Sequence, residues 1–295
     1  MHRELDFPYA CVLSIGDLSS SLIDCMKIGD KGDGIRFLDL KEFYLQPCEE
    51  MQKSHLLFII FDSSIGEEVN LTLELADQAR AAEILTMGIC WVGNPIVSGT
   101  DQRWQILEQV RANMDSLAIV ATTKDPSHRF QEHDKETPDS IVRKIARECQ
   151  SIVHSLSYIF SHESFVGIDF EDVREALSGS GYAAIGVGDA QGDDRGVTAC
   201  ANAIEDLTNK GIDLRDVRGV SVKISGHYPS LNDFSDVMEH LESLFAEDCR
   251  VVVAAYWNDA VDDESLNVSL LVSGLTRESV GPLAELSARL ERKAS

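Results

Sequence analysis

Apolar residues follow two rhythms along this chain. Compact runs such as Leu56–Phe61 (LLFIIF) read as strands buried on both faces. Between them lie amphipathic stretches with the spacing of helices. The first half predicts a strand at Ala10–Gly16, a helix through LSSSLIDCMKI, a short strand at Ile35–Leu40 and the strand at Leu56–Phe61. A helix over Glu67–Glu83 follows, with Val69, Leu73, Ala76 and Ala79–Ala81 on one side. Next come a strand at Leu85–Val92, a helix at Gln102–Met114 and a strand at Leu117–Thr122. Strands separated by helices imply a parallel sheet with right-handed crossovers. The polar stretch TTKDPSHRFQEHDKETPDS reads as an exposed loop, and a long helix runs from about Pro138 to Phe160. Four more strands are predicted at Gly181–Gly188, Gly219–Ser225, Arg250–Trp257 and Leu266–Ser273. Helices at Arg195–Asn209 and Leu231–Phe245 separate the first three, and the acidic connection NDAVDDES predicts that the last two form an antiparallel hairpin. The pattern is that of two α/β halves joined by one long helix.

Composition narrows the class. Of 295 residues, 44% are apolar, enough for a sizeable core, yet no uninterrupted apolar run is long enough to span a bilayer. The N-terminal stretch lacks the pattern of a signal peptide, so the expected location is cytoplasmic. Lys plus Arg total 26 against 50 Asp plus Glu, a net charge of −24 that repels nucleic acid and anionic lipid. No nucleic-acid partner and no direct membrane binding are expected. The seven cysteines are scattered without a C-x-x-C pair and read as buried, reduced thiols. His128, His133, His154 and His162 lack the spacing of a metal cluster, and no metal site is expected.

One turn carries candidate chemistry. FDSSIGEEVNLTLELA, Phe61–Ala76, places a strand, a tight turn and a helix start in succession, an arrangement that often cradles phosphate. Here the turn offers one glycine, Gly66, and the carboxylates Asp62, Glu67 and Glu68. Two unit charges about 4 Å apart repel by about 4 kcal/mol at an effective dielectric near 20. A helix N-terminus returns only about 0.3–1 kcal/mol. Glu67 and Glu68 also suit a simpler role, as acidic partners of the helix's first turn.

The second half carries a resemblance. In VGIDFEDVREALSGSGYAAIGVGDAQGDDRGVTACANAIED, Asp169, Phe170, Asp172 and Val173 match the N-x-D-F-x-D-V loop of the FtsZ family, bacterial relatives of tubulin. Gly181, Ala183, Gly186, Gly188, Ala190, Gly192 and Arg195 match the glycine-rich segment that follows it, and the similarity extends from Val166 to about Leu275. The resemblance implies a two-domain FtsZ/tubulin-like α/β fold with a Rossmann-like parallel sheet. Residues 1–136 would form a nucleotide-binding-type domain, 137–165 the core helix and 166–295 a smaller activation domain. In the family, nucleotide held by one subunit is capped by the acidic loop of the next, and filaments grow head to tail. Asp169 and Asp172 stand at the positions of the catalytic carboxylates, with Gly167 in place of the family's Asn. As an N-cap and a first-turn residue they also suit a structural role.

The first half departs from the family at the nucleotide site. SIGDLSSSL keeps only Gly16 of the first glycine loop and sets Asp17 beside it. The signature GGGTGTG loop is replaced by the Phe61–Val69 turn, leaving Ser63, Ser64 and Gly66 as relic positions. Lys41–Ser54 is too short for the loop and helix that reach the terminal phosphate. Counting back from GIDFEDV puts Ala146 and Arg147 where the family presents Asn and Asp to guanine. The expectation is an FtsZ-like protein with a degenerate GTP site that needs no cofactor and makes contacts with itself or a true FtsZ. The alternative is a divergent GTPase using GTP and magnesium in filaments of its own. A third reading is an enzyme of different chemistry in the crevice above the sheet. The tail PLAELSARLERKAS reads as a short amphipathic helix packed on the body.

Overall fold

The computed structural model describes residues 10–16, 18–27, 34–38, 54–92, 102–121, 137–161, 168–177, 181–258, 262 and 264–281. Strands β1 (Ala10–Ser14), β2 (Ile35–Leu38), β3 (Leu56–Asp62), β4 (Leu85–Val92) and β5 (Ser116–Ala121) form one parallel array in the order β2-β1-β3-β4-β5. The array continues through β6 (Gly181–Gln191) to β9 (Ser265–Leu275), β7 (Gly219–Gly226) and β8 (Arg250–Trp257), giving nine strands among the described residues. Among the described strands only β9 runs against its neighbours, antiparallel to both β6 and β7.

The uninterrupted apolar runs occupy the middle of the sheet because both faces are covered. Every residue of β3 and β4 is buried. Along β3 the side chains alternate: Leu57, Ile59 and Phe61 enter one core, Leu56, Phe58 and Ile60 the other. The first core takes helices α2 (Gly66–Ala81), α3 (Gln102–Arg111), α6 (Arg195–Asn209) and α7 (Leu231–Leu244). The second takes α1 (Ser19–Lys27), α4 (Pro138–Ser161) and α5 (Phe170–Leu177). Helix α4 is about 36 Å long at 1.5 Å per residue. Its buried face, Ile141, Ile145, Cys149, Ile152 and Leu156, keeps a three-to-four-residue spacing.

The join between β5 and β6 is narrow. They pair only from Ser116↔Gly181 to Ala118↔Ala183. Farther along β6, side chains satisfy the backbone instead. Lys210 Nζ donates to the Ile185 carbonyl at 2.8 Å, and Asp206 Oδ2 accepts from the Val187 amide at 3.0 Å. Lys210 Nζ also pairs with Glu148 Oε1 at 3.2 Å, tying α4 to the end of α6. Burial raises the Glu148 carboxyl above its ordinary value, with Lys210 opposing the shift.

Two expectations are corrected here. The last two strands do not form a hairpin: β7 lies between β8 and β9. Val268, Leu270, Leu271 and Val272 of β9 are fully buried and belong in the sheet's interior. Strand β8, with an exposed Arg250 at one end and a half-exposed Trp257 at the other, takes the edge. On α2 the buried side is set by Glu68, Val69, Thr72, Leu75, Ala76 and Ala79, while Leu73 is only partly buried and Ala81 is exposed. The expected loop after Thr122, the Lys41–Ser54 link up to residue 53 and the amphipathic tail from residue 282 lie outside the described residues.

Candidate functional site

The candidate site lies where β1 and β3 end. The parallel register sets Ser14 beside Ile60, and the Ile15 amide donates to the Ile60 carbonyl at 2.8 Å. The two following turns, at Gly16 and at Asp62–Ile65, are therefore neighbours. Gly16 has φ +103, a backbone conformation natural to glycine. A Cβ placed on it would stand 1.9 Å from Glu68 Oε1. The Glu68 carboxylate thus sits directly against the bare face of Gly16.

That carboxylate is held from behind. Glu68, in the first turn of α2, is only 7% exposed, and its Oε2 accepts from the Asp62 backbone amide at 2.9 Å. The Asp62 side chain is buried as well, and its Oδ1 accepts from both the amide and the hydroxyl of Ser64 at 2.8 Å. Ser63 is buried beside the Cys90 thiol, and burial pushes that thiol up to about 12. Ser63 lowers the Cys90 value, whereas Asp62 and Glu68 add to the rise. Gly66 opens α2 with no atom near the place of a Cβ. The residue before it, Ile65, contributes no side-chain cap. Glu67 is exposed in the first turn, as a helix-dipole partner would be, whereas Glu68 turns inward and takes a backbone amide.

The structure therefore brings together Gly16, Ser63, Ser64 and Gly66 with Asp62 and Glu68. Asp17 lies outside the described residues. On α4, Ala146 is buried and Arg147 exposed. What the sequence did not reveal is which carboxylate turns inward: Glu68 lies against Gly16, whereas Glu67 stays exposed. An acidic residue in a first helical turn reads as a dipole partner, and no sequence pattern marks one that folds back six residues.

Asp169 and Asp172 stand at the start of α5, both exposed, and Asp172 Oδ2 accepts from the Asp169 amide at 3.3 Å. This is one arm of a capping box. Asp172 also lines a groove of about 490 Å³ along β8, with Ile168, Phe234, Met238, Val251 and Val253. Gly167 lies outside the described residues. The glycine-rich segment has a packing explanation: Cβ atoms at Gly186 and Gly188 would fall 2.2 and 2.1 Å from the Ala203 and Ala199 carbonyls, so α6 rests on bare β6 backbone. Arg195 Nε and Nη2 donate to the two carboxylate oxygens of Asp233 at 3.0 and 2.9 Å, and Asp233 also closes a capping box with Ser230 on α7. Burial raises the Asp233 carboxyl, but Arg195 and Ser230 outweigh it and hold the group below its ordinary value. Among the described residues there is no group of three or more His, Cys, Asp or Glu placed to hold a metal ion, and His128, His133 and His162 lie outside them. No described helix is long and apolar enough to cross a membrane.

A mostly parallel sheet, a long central helix and one antiparallel strand define an α/β fold. The FtsZ family, C-terminal domain, matches residues 181–276. Cell division protein FtsZ 2 of Rhizobium meliloti is 25% identical over 78% of this chain and 67% of its own length. The mitochondrial division protein fszA of Dictyostelium discoideum is 22% identical over 75% of this chain, which spans only 42% of that protein. Among solved structures, the empty FtsZ dimer of M. jannaschii superposes with a TM-score of 0.70 at 14% identity, covering 90% of this chain and 88% of that one. Together these matches show that the chain has the fold of the FtsZ structures and that residues 181–276 are similar to the C-terminal domain of the FtsZ family.

Proposed function

We propose that this protein is an FtsZ-like cytoskeletal or cell-division protein that works through head-to-tail contacts, with itself or with a true FtsZ, and does not hydrolyse GTP. The observation that carries the reading is the Glu68 carboxylate, lodged against Gly16 and bound to the Asp62 amide. A backbone amide and a bare glycine are what a phosphate oxygen would use, and both are taken by a fixed negative charge. Asp62 adds a second buried carboxylate next to it. On this reading no GTP, GDP or magnesium is required, and the strand-end crevice is a closed relic.

The other end of such a contact is retained. Asp169 and Asp172 are exposed at the start of α5, where a neighbouring subunit's nucleotide can meet them. The protein would then end a filament, or alter its hydrolysis in trans, by offering a capping face without a nucleotide of its own. Adding the protein to polymerising FtsZ tests this directly. Polymer mass, filament length and GTP turnover are expected to change, and Asp169→Ala with Asp172→Ala is expected to alter the effect on turnover. Unchanged polymer and turnover across a range of ratios would refute the proposal.

A further inference from the structure

The sheet ends on β8, and the corner at its C-terminal end is unusually apolar for so acidic a chain. Trp257 is 52% exposed. Its register partner Gly226 ends β7 and leads to Tyr228, 64% exposed, and Leu231, 72% exposed at the start of α7. The His227 ring packs edge-on against the Tyr228 ring at 4.3 Å. Arg195 Nη2 donates to the Tyr228 carbonyl at 2.7 Å, which brings the first turn of α6, with Val197 40% exposed, to the same corner. Single exposed apolar residues are ordinary, but four large ones gathered in a corner mark a contact surface.

Two further features say what it contacts. The rim is acidic: Asp189, Asp193 and Asp194 are exposed at the end of β6 and in the turn that follows, and Asp262 and Glu264 are exposed before β9. Arg195 does not offset them, because its guanidinium is bound to Asp233. The corner is also extended. Leu231, Phe234 and Met238 recur at helical spacing on α7, and the last two line the groove along β8, whose end away from Trp257 holds Arg250, ion-paired with Glu175.

We propose that this corner docks a cationic amphipathic segment of a partner protein. Apolar side chains of the segment cover Trp257, Tyr228 and Leu231, while its Lys or Arg groups meet the rim carboxylates and the aromatic faces. A second copy of this chain is the poorer occupant, since a two-fold contact would bring like-charged rims together. The surface is separate from the Gly16–Glu68 cradle, and the inference stands whether or not nucleotide binds there.

Fluorescence anisotropy with the full chain and a labelled twelve-residue peptide of alternating Arg and Leu tests the assignment, with the Glu–Leu counterpart as control. The Arg–Leu peptide is expected to bind and the Glu–Leu peptide not to. Trp257→Ala and Tyr228→Ser, which leave the net charge of −24 unchanged, are expected to weaken binding at least tenfold. Asp193→Asn with Asp194→Asn should weaken it too and flatten its salt dependence. All four positions are exposed, and unchanged circular dichroism of each variant confirms folding. Equal binding by wild type and both aromatic variants would reduce the effect to general attraction of a polyanion for cations and overturn the proposal. A dimer of the free chain that Trp257→Ala abolishes would overturn it in favour of self-association.

Discussion

Replacing Glu68 with Gln separates the charge at the cradle from its shape. Gln keeps the length of the side chain and an oxygen able to accept from the Asp62 amide, now 2.9 Å from Glu68 Oε2. It removes one unit of negative charge from a group that lies against Gly16. A phosphate oxygen about 4 Å from that group is relieved of about 4 kcal/mol of repulsion at an effective dielectric near 20. At about 1.4 kcal/mol per decade, the ceiling on the gain is about a thousandfold in affinity. Asp62 is a second buried carboxyl nearby, so the single variant should fall short of that ceiling and Asp62→Asn with Glu68→Gln should come closer. Stability should hardly change in Glu68→Gln. Glu68→Ala removes the acceptor of a buried amide and should cost about 1–3 kcal/mol. Calorimetric titration of each variant with GDP and magnesium reads the affinity, and denaturant melts read the stability. If Glu68→Gln folds as well as wild type and gains no affinity for GDP, the carboxylate is not what keeps anions out.

Three other substitutions have expected outcomes. Gly186→Val should destabilise by at least about 1–3 kcal/mol, because a Cβ 2.2 Å from the Ala203 carbonyl forces α6 away from β6; a urea melt checks it. Asp233→Asn breaks a pair whose members are 12% and 6% exposed, and should cost about 3 kcal/mol at neutral pH. Asp233 titrates below its ordinary value when folded, so its contribution is present above that value and is lost as pH falls through the folded one. The deficit of Asp233→Asn should therefore shrink in acid, below about pH 4, as followed by melts at stepped pH. Lys210→Met leaves Glu148, already raised by burial, without its counter-charge. The resulting loss, about 2–4 kcal/mol at pH 7, should ease on acidification as Glu148 takes a proton, and a deficit that grows in acid would contradict this.

Much of the fold was legible because each half obeys a simple rhythm. Helix Arg195–Asn209 and strand Arg250–Trp257 have the predicted bounds, and β3 and β4 are buried throughout, as continuous apolar runs require. The glycine spacing at 186 and 188 could be read as a family pattern, but its cause, helix backbone resting on strand backbone, appears only in three dimensions. The hairpin expected at the end failed because strand adjacency is not local. Strand β7 separates β8 from β9, and the fully buried residues of β9 suit it to the interior place. The cradle was half legible. The surplus of carboxylates facing the turn was evident, with a helix-partner role as the simpler alternative, but nothing in a sequence shows that it is the Glu68 side chain that reaches back to Gly16 and Asp62.

The proposed function requires that the Gly16–Glu68 cradle exclude anions. Isothermal titration of the wild-type chain with GTP and with GDP, each with and without magnesium, tests it most directly. No binding heat is expected for either nucleotide at millimolar concentration. Saturable binding of GDP or GTP in the micromolar range, lost in a Gly16→Val variant that still folds, would contradict it.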